Sequence, residues 1–267
     1  MAVEKSKRAE DIYKFPRMPH LHALVRISGL RDKSRRTLTK LISRKPTLAE
    51  DDEEVISPLE PYKETFKKHN WAFIENFFEP RFRDKIFKKW PKFYYFAPVS
   101  RMHKSYDTGF VWQARRGDRP QYLDHLPVME KLYDHLDSDE FAQKVTDFCD
   151  DGIPRARYAT LLTRAFTGSS VIPHRDSVAT TKEGEHFLNF VIFVNGTGGS
   201  RGGGLCIMDG PEFEDIVFEP QDLVNTALVY RSNATIWHGF SPMRFGAFRW
   251  TINCQYCSKE WLENVAD

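Results

Sequence analysis

Between His186 and Tyr256 the chain breaks into short β-rich runs at close intervals, and no other feature limits its fold so tightly. His186-Phe-Leu-Asn-Phe-Val-Ile-Phe-Val-Asn195 is the longest, an apolar run of strand length rich in Val, Ile and Phe. Leu205–Met208, Asp215–Pro220, Thr226–Tyr230, Ala234–His238 and Phe245–Tyr256 follow, separated by Gly, Pro, Asn and Asp. This rhythm predicts an antiparallel sandwich or jelly roll rather than βαβ units. Upstream, Arg155–Phe166 reads as one more strand, ending in a turn at Thr167-Gly168. Pro80–Trp90 and Leu126–Cys149 mix apolar and charged residues at helical spacing, as helices lying on one face of a sheet do. The expected class is α+β: a double-stranded β-helix, or jelly roll, with flanking helices packed on one sheet.

His174-Arg-Asp176 stands just before the first of these runs, and His238 closes the Ala234–His238 run. Two imidazoles and one carboxylate are the ligand set that holds non-haem Fe(II) on one face and leaves coordination positions open. On an extended segment His174 and Asp176, two apart, project to the same side. Taken singly, each has a plain reading: a surface charge pair for the first two, a core histidine beside Trp237 for the third. The guanidinium of Arg249 suits the carboxylate of an acidic co-substrate, because it forks to both oxygens. Thr251 shares its strand face. Gly196–Gly204 lacks the Gly-Lys-Ser/Thr ending of a phosphate loop and reads as a flexible hairpin. Cys254-x-x-Cys257 has no second ligand pair in Cys149 and Cys206, so two packed thiols are expected there rather than a zinc site.

Pro173-His174-Arg175-Asp176, Asn195…Gly202-Gly203-Gly204-Leu205, Trp237-His238, Pro242-Met243 and Gly246-Ala-Phe-Arg249-Trp-Thr251 occur in an order that resembles the 2-oxoglutarate- and Fe(II)-dependent oxygenase superfamily, in its prolyl-4-hydroxylase-like branch. Trp71–Pro80 looks like that family's opening strand and helix, and the resemblance spans roughly residues 70–257. It implies Fe(II) at His174, Asp176 and His238, with 2-oxoglutarate and O2 as co-substrates. It also implies co-substrate contacts from Arg249, Thr251, Asn189 and Arg164, with Arg249 favoured over Arg244 by the family's spacing from the distal histidine. No catalytic residue is expected beyond the metal ligands. The implied reaction couples decarboxylation of 2-oxoglutarate to succinate and CO2 with hydroxylation of an unactivated C–H bond in a small molecule, amino acid or peptidyl residue. Asp176 argues against halogenation, since halogenating relatives replace that carboxylate with Gly or Ala. Desaturation and ring formation use the same iron site. A nucleic-acid demethylase is the alternative enzyme, although Trp250–Cys254 lacks the second arginine of that branch's closing motif. A non-catalytic jelly-roll module binding a metal or small ligand is the alternative of another class. Phe93–Asp118, aromatic, basic and weakly periodic, reads as loop, and loops carry binding residues disproportionately. Tyr106, Trp112, Arg115 and Arg116 are the candidate substrate contacts there, with plain packing as the other reading of the aromatics.

At 267 residues and 41% hydrophobic content the chain is long enough for one catalytic domain plus an extension. The formal net charge of +2 hides an asymmetry: residues 1–48 hold 13 of the 39 Lys and Arg but only 4 of the 37 Asp and Glu. Within them Leu21–Ile42 shows helical apolar spacing with arginines between, and the acidic cluster Glu50–Glu54 marks a boundary. The expected division is therefore a partly helical basic extension, residues 1–54, and a jelly-roll domain, residues 55–267. Such a segment can contact a membrane surface or an acidic partner, but an extension docked on the acidic body or a solvated tail is the favoured reading, and it is no firm evidence for nucleic acid. Four cysteines without a framework, no spanning apolar run and no signal-peptide pattern predict a cytoplasmic protein. Oligomeric state is not legible.

Overall fold

A computed structural model describes residues 54–92, 96–99, 103–113, 126–176, 187–232 and 236–266. The expected basic extension, Glu54 apart, and Arg115 and Arg116 lie outside them. Ten strands pair into one curled antiparallel sheet: β1 Trp71–Ile74, β2 Phe96–Val99, β3 His103–Gln113, β4 Arg155–His174, β5 Leu188–Gly196, β6 Cys206–Met208, β7 Ile216–Phe218, β8 Thr226–Arg231, β9 Trp237–Phe240 and β10 Phe248–Ser258. Its main path runs β1-β8-β5-β10-β4-β9-β6-β7, with β3 and β2 added beside β4. This is the jelly roll that the strand rhythm predicts.

β4 joins the two halves of the roll. It pairs with β10 from Arg155↔Ser258 to Phe166↔Phe248, then with β9 at Val171↔Phe240 and His174↔His238. The turn expected at Thr167-Gly168 is instead a bend inside one long strand. Gly168 takes the left-handed conformation that the bend needs (φ +83°), and Gly168 N–H donates to Met243 O (3.0 Å). The predicted loop at Phe93–Asp118 is likewise corrected, since β2 and β3 form a hairpin whose second strand pairs along β4 from Gln113↔Ala159 to His103↔Val171. Phe96, Tyr106, Phe110 and Trp112 belong to these two strands, which weak periodicity had obscured.

The sheet is covered on both sides, so β5 reads as an almost unbroken apolar run. Leu188, Phe190, Ile192 and Val194 face a core shared with helices, whereas Val191 and Phe193 face the interior of the roll with Leu228, Tyr230, Phe240 and Met243. The helices on that outer core are α1 Lys63–His69, α2 Pro80–Lys88, α3 Pro127–Leu136 and α4 Asp139–Cys149; α5, Lys259–Ala266, follows β10. Pro80 and Pro127 sit in the first turns of α2 and α3, where the missing N–H costs nothing. The single helix expected over Leu126–Cys149 is two, because the Ser138 hydroxyl caps α4 by accepting from Phe141 N–H (3.1 Å), and Asp139 and Glu140 suit the positive end of its dipole. No helix among the described residues is long and apolar enough to cross a membrane.

The Gly196–Gly204 segment is a pinned turn. Gly199 N–H donates to Pro220 O (2.7 Å) and Gly204 N–H to Gly199 O (2.8 Å), Ser200 N–H meets the Glu219 carboxylate, and the residues from Ser200 to Gly204 are buried apart from Arg201. At Gly203 (φ +90°) an added Cβ would stand 3.0 Å from Arg249 Cδ and Met243 Sδ, so glycine lets this backbone lie against the arginine.

Candidate active site

His174, Asp176 and His238 converge where β4 and β9 meet. The register places His174 opposite His238, and their ring centroids are 4.3 Å apart. Asp176 Oδ1 lies 3.9 Å from His174 Nε2 and 3.6 Å from His238 Nε2, and the three ligand atoms all fall within 4.8 Å of one another. Among the described residues this is the one such cluster of His, Cys, Asp and Glu.

The ring and carboxyl orientations suit a divalent metal. His174 Nδ1 is 2.9 Å from Ile172 O, which leaves Nε2 on the side of the other two ligands. His238 is buried and its Nδ1 has no hydrogen-bond partner, so its polar contacts all lie at Nε2. Burial lowers the proton affinity of His174, and neighbouring His238 adds to this, favouring the neutral imidazole that a metal requires. Burial alone would raise the Asp176 carboxyl, but His238, the Ser232 hydroxyl and His174 outweigh it and hold the group well below the usual carboxylate range. Two imidazole nitrogens and one carboxylate oxygen at this spacing fit Fe(II) with open coordination positions.

A row of side chains on the interior face of β10 runs through the same interior. Arg249 is 6% exposed, its Nη1 donates to Gly203 O (2.6 Å), and its guanidinium lies 4.4 Å from the centre of the Phe240 ring. Thr251 is fully buried and its hydroxyl meets that of Thr163 on β4. Farther along the row, Gln255 Nε2 donates to Asn189 Oδ1 (2.8 Å).

The sequence-predicted residues divide accordingly. The structure brings His174, Asp176 and His238 together and sets Arg249 and Thr251 in the same interior. Asn189 also faces inward, and its amide donates to Asp176 Oδ2 (2.7 Å). Arg164 is a correction. Thr163 and Ala165 face inward, and Arg164 therefore projects from the opposite face of β4, with its guanidinium 5.6 Å from the centre of the Phe96 ring. Tyr106 and Trp112 are strand residues of β3, paired with Ala165 and Thr160. Sequence reasoning missed Tyr230, whose hydroxyl is 3.2 Å from His238 Nε2, and Ser232, whose hydroxyl donates to Asp176 Oδ2 (2.7 Å). Both share a strand parity with Leu228, and only the pairing of β8 with β5 brings them to the metal side.

The four cysteines are free and buried. Burial pushes Cys257 up to about 12 and also raises Cys254, as expected of packed thiols.

Residues 160–256 match the family model of the 2OG-Fe(II) oxygenase superfamily. No protein of curated function matches the chain by sequence. Among solved structures it is similar to a prolyl hydroxylase from Trichoplax adhaerens in complex with a hypoxia inducible factor oxygen degradation domain peptide fragment (12% identity, 78% of this chain and 92% of that one, TM-score 0.55). It is also similar to HygX from Streptomyces hygroscopicus with nickel and 2-oxoglutarate bound (10%, 74% and 87%, TM-score 0.53) and to a prolyl-4-hydroxylase from Pseudomonas putida (13%, 76% and 100%, TM-score 0.50). At these identities the likeness is one of fold.

Proposed function

We propose that this chain, whose residues 160–256 match the family model of the 2OG-Fe(II) oxygenase superfamily, is such an oxygenase and hydroxylates an unactivated C–H bond of a small molecule, amino acid or peptidyl residue, releasing succinate and CO2. The observation that carries this reading is the convergence of His174, Asp176 and His238 within 4.8 Å, in the same interior as the buried guanidinium of Arg249. His174 Nε2, Asp176 Oδ1 and His238 Nε2 would hold Fe(II), which supplies the oxygen chemistry when bound.

The remaining work belongs to the chain's own groups. Arg249 would take the distal carboxylate of 2-oxoglutarate through its fork, fixed in place by Gly203 O and the Phe240 ring. Thr251, held by Thr163, would donate a second hydrogen bond to that carboxylate. Phe193, Phe240 and Met243 keep water out of the roll around them. The peptide bound by the Trichoplax enzyme and the hygromycin B bound in a further HygX structure support a broad range of substrate classes for this fold. Tyr106, Trp112, Arg115 and Arg116 stay our candidates for substrate contact. The residues from 1 to about 54 would form a separate basic arm that meets a membrane surface or an acidic partner, and four free thiols support a reducing, cytoplasmic setting.

Anaerobic titration with Fe(II) and 2-oxoglutarate tests the assignment. Wild type is expected to develop a weak visible band at roughly 500 nm from a chelated 2-oxo acid at an open Fe(II) site. No band in wild type, or an undiminished one in His174→Ala, would remove the oxygenase reading. Succinate release screened over amino acids and peptides then addresses substrate.

A further inference from the structure

Asp176 lies just beyond the end of β4, and the ladder between β4 and β9 stops at His174↔His238. Among the described residues no strand pairing therefore fixes the one anionic member of the triad. Side chains from three other parts of the sheet hold it instead. Asn189 Nδ2 from β5 and the Ser232 hydroxyl just after β8 both donate to Asp176 Oδ2, each at 2.7 Å. Asn189 and Ser232 also touch one another, and Gln255 Nε2 from β10 donates to Asn189 Oδ1.

The donor count closes. One amide hydrogen of Asn189 goes to the carboxylate and the other to Ser232 Oγ, while the Ser232 O–H goes to the same carboxylate oxygen. The Gln255 donor fixes which end of the Asn189 amide points at Asp176, because only the amide oxygen can accept from it. With two donors on Oδ2, the other oxygen is the one that faces His174 and His238.

We propose that Asn189, Ser232 and Gln255 form a positioning clamp that commits Asp176 to the metal through Oδ1 alone. A carboxylate free to turn binds a cation through one oxygen or both. Two-oxygen binding here would fill a position that a chelating co-substrate needs. The clamp prevents it and ties an otherwise unladdered ligand to three strands. The inference rests on the oxygenase reading above.

The test is Co(II) binding to the full chain, read by calorimetry and by the visible d–d spectrum, with the melting temperature of the stripped protein as the control for folding. Asn189→Ala and Ser232→Ala are each expected to weaken Co(II) binding by about 10–100-fold, as losing the orienting partner of a metal ligand typically does. They should alter the spectrum and leave the stripped protein's melting close to wild type. Ser232→Thr, which keeps the hydroxyl, should recover most of the affinity. Gln255→Glu should behave like Asn189→Ala, because a carboxylate in that place accepts from the Asn189 amide and turns it away from Asp176. Wild-type affinity and spectrum in both alanine variants would overturn the clamp alone. So would a loss of affinity that merely tracks a loss of melting temperature, or one that Ser232→Thr does not restore. Absence of Co(II) binding in wild type itself would instead overturn the metal-site reading, and the clamp with it.

Discussion

Arg249 shows how one residue divides its polar capacity. One nitrogen donates to Gly203 O, and the aromatic faces of Phe240 and Phe193 flank the guanidinium that is proposed above to take a carboxylate. Arg249→Lys keeps the charge and loses the fork. Losing a hydrogen bond to a charged group costs about 1.5–3 kcal/mol, so the KM for 2-oxoglutarate should rise by about tenfold or more. Steady-state succinate release measures this, and a fall in kcat with KM unchanged would contradict the role given to Arg249. Its chemistry and its run were legible in the sequence, its preference over Arg244 came from the family resemblance, and the structure buries it inside the roll. The error at Arg164 was legible too, in physical terms. A strand alternates strictly, so Thr163 and Ala165 cannot share a face with the residue between them. The donors to Asp176 were not legible, because Asn189, Ser232 and Gln255 meet only through the registers of β5, β8 and β10.

At the scale of elements, the packing of α3 on α4 carries a pH dependence. His135, in the last turn of α3, lies against Phe141 of α4 with ring centroids 5.1 Å apart, and its Nε2 is buried without a hydrogen-bond partner. Burial pushes its pKa down from 6.5 to about 4; Lys144 and Lys131 push the same way and Glu140 opposes them. Between those two values the unfolded chain binds a proton that the folded chain does not. The stability contributed by the neutral ring is thus complete above pH 6.5 and is lost as pH falls toward 4. Melting curves of wild type and His135→Gln should therefore converge, or cross, on acidification through that window. A constant difference between them would refute the mechanism. The same region shows why the helix boundary was missed: the apolar spacing runs on through Leu136 and Phe141, while the break rests on a single hydroxyl at Ser138.

For the molecule as a whole, the outer core extends beyond the helices to the first described residues. Val55, Ile56 and Leu59 are buried, Ile56 bridges to Phe78, and Ser57 N–H donates to Phe77 O (2.9 Å). A chain beginning at Glu54 should retain the melting temperature and the 2-oxoglutarate-dependent band of the full chain. One beginning at Pro61 exposes the surface that three apolar side chains covered, each worth roughly 1.5–3 kcal/mol, and should melt well below it. Equal melting of the two truncated chains would show that this segment is not part of the core. The acidic cluster that suggests a boundary near residue 54 precedes Val55, the first buried side chain among the described residues. The passage of β4 from one half of the roll to the other was not legible in the sequence, since Thr167-Gly168 has the composition of a turn and only the pairing partners beyond it keep the strand extended. That passage has a further consequence. Thr163, whose hydroxyl meets that of Thr251, and His174 of the His/Asp cluster are carried on one strand with the Gly168 bend between them. In the function proposed above, the gap between Arg249 and the two histidines is then set by this bent strand, as on a gauge block, rather than by the play of loops. Such a gauge selects co-substrates by length, and it should reject 2-oxo diacids one carbon shorter or longer than 2-oxoglutarate whatever the prime substrate is.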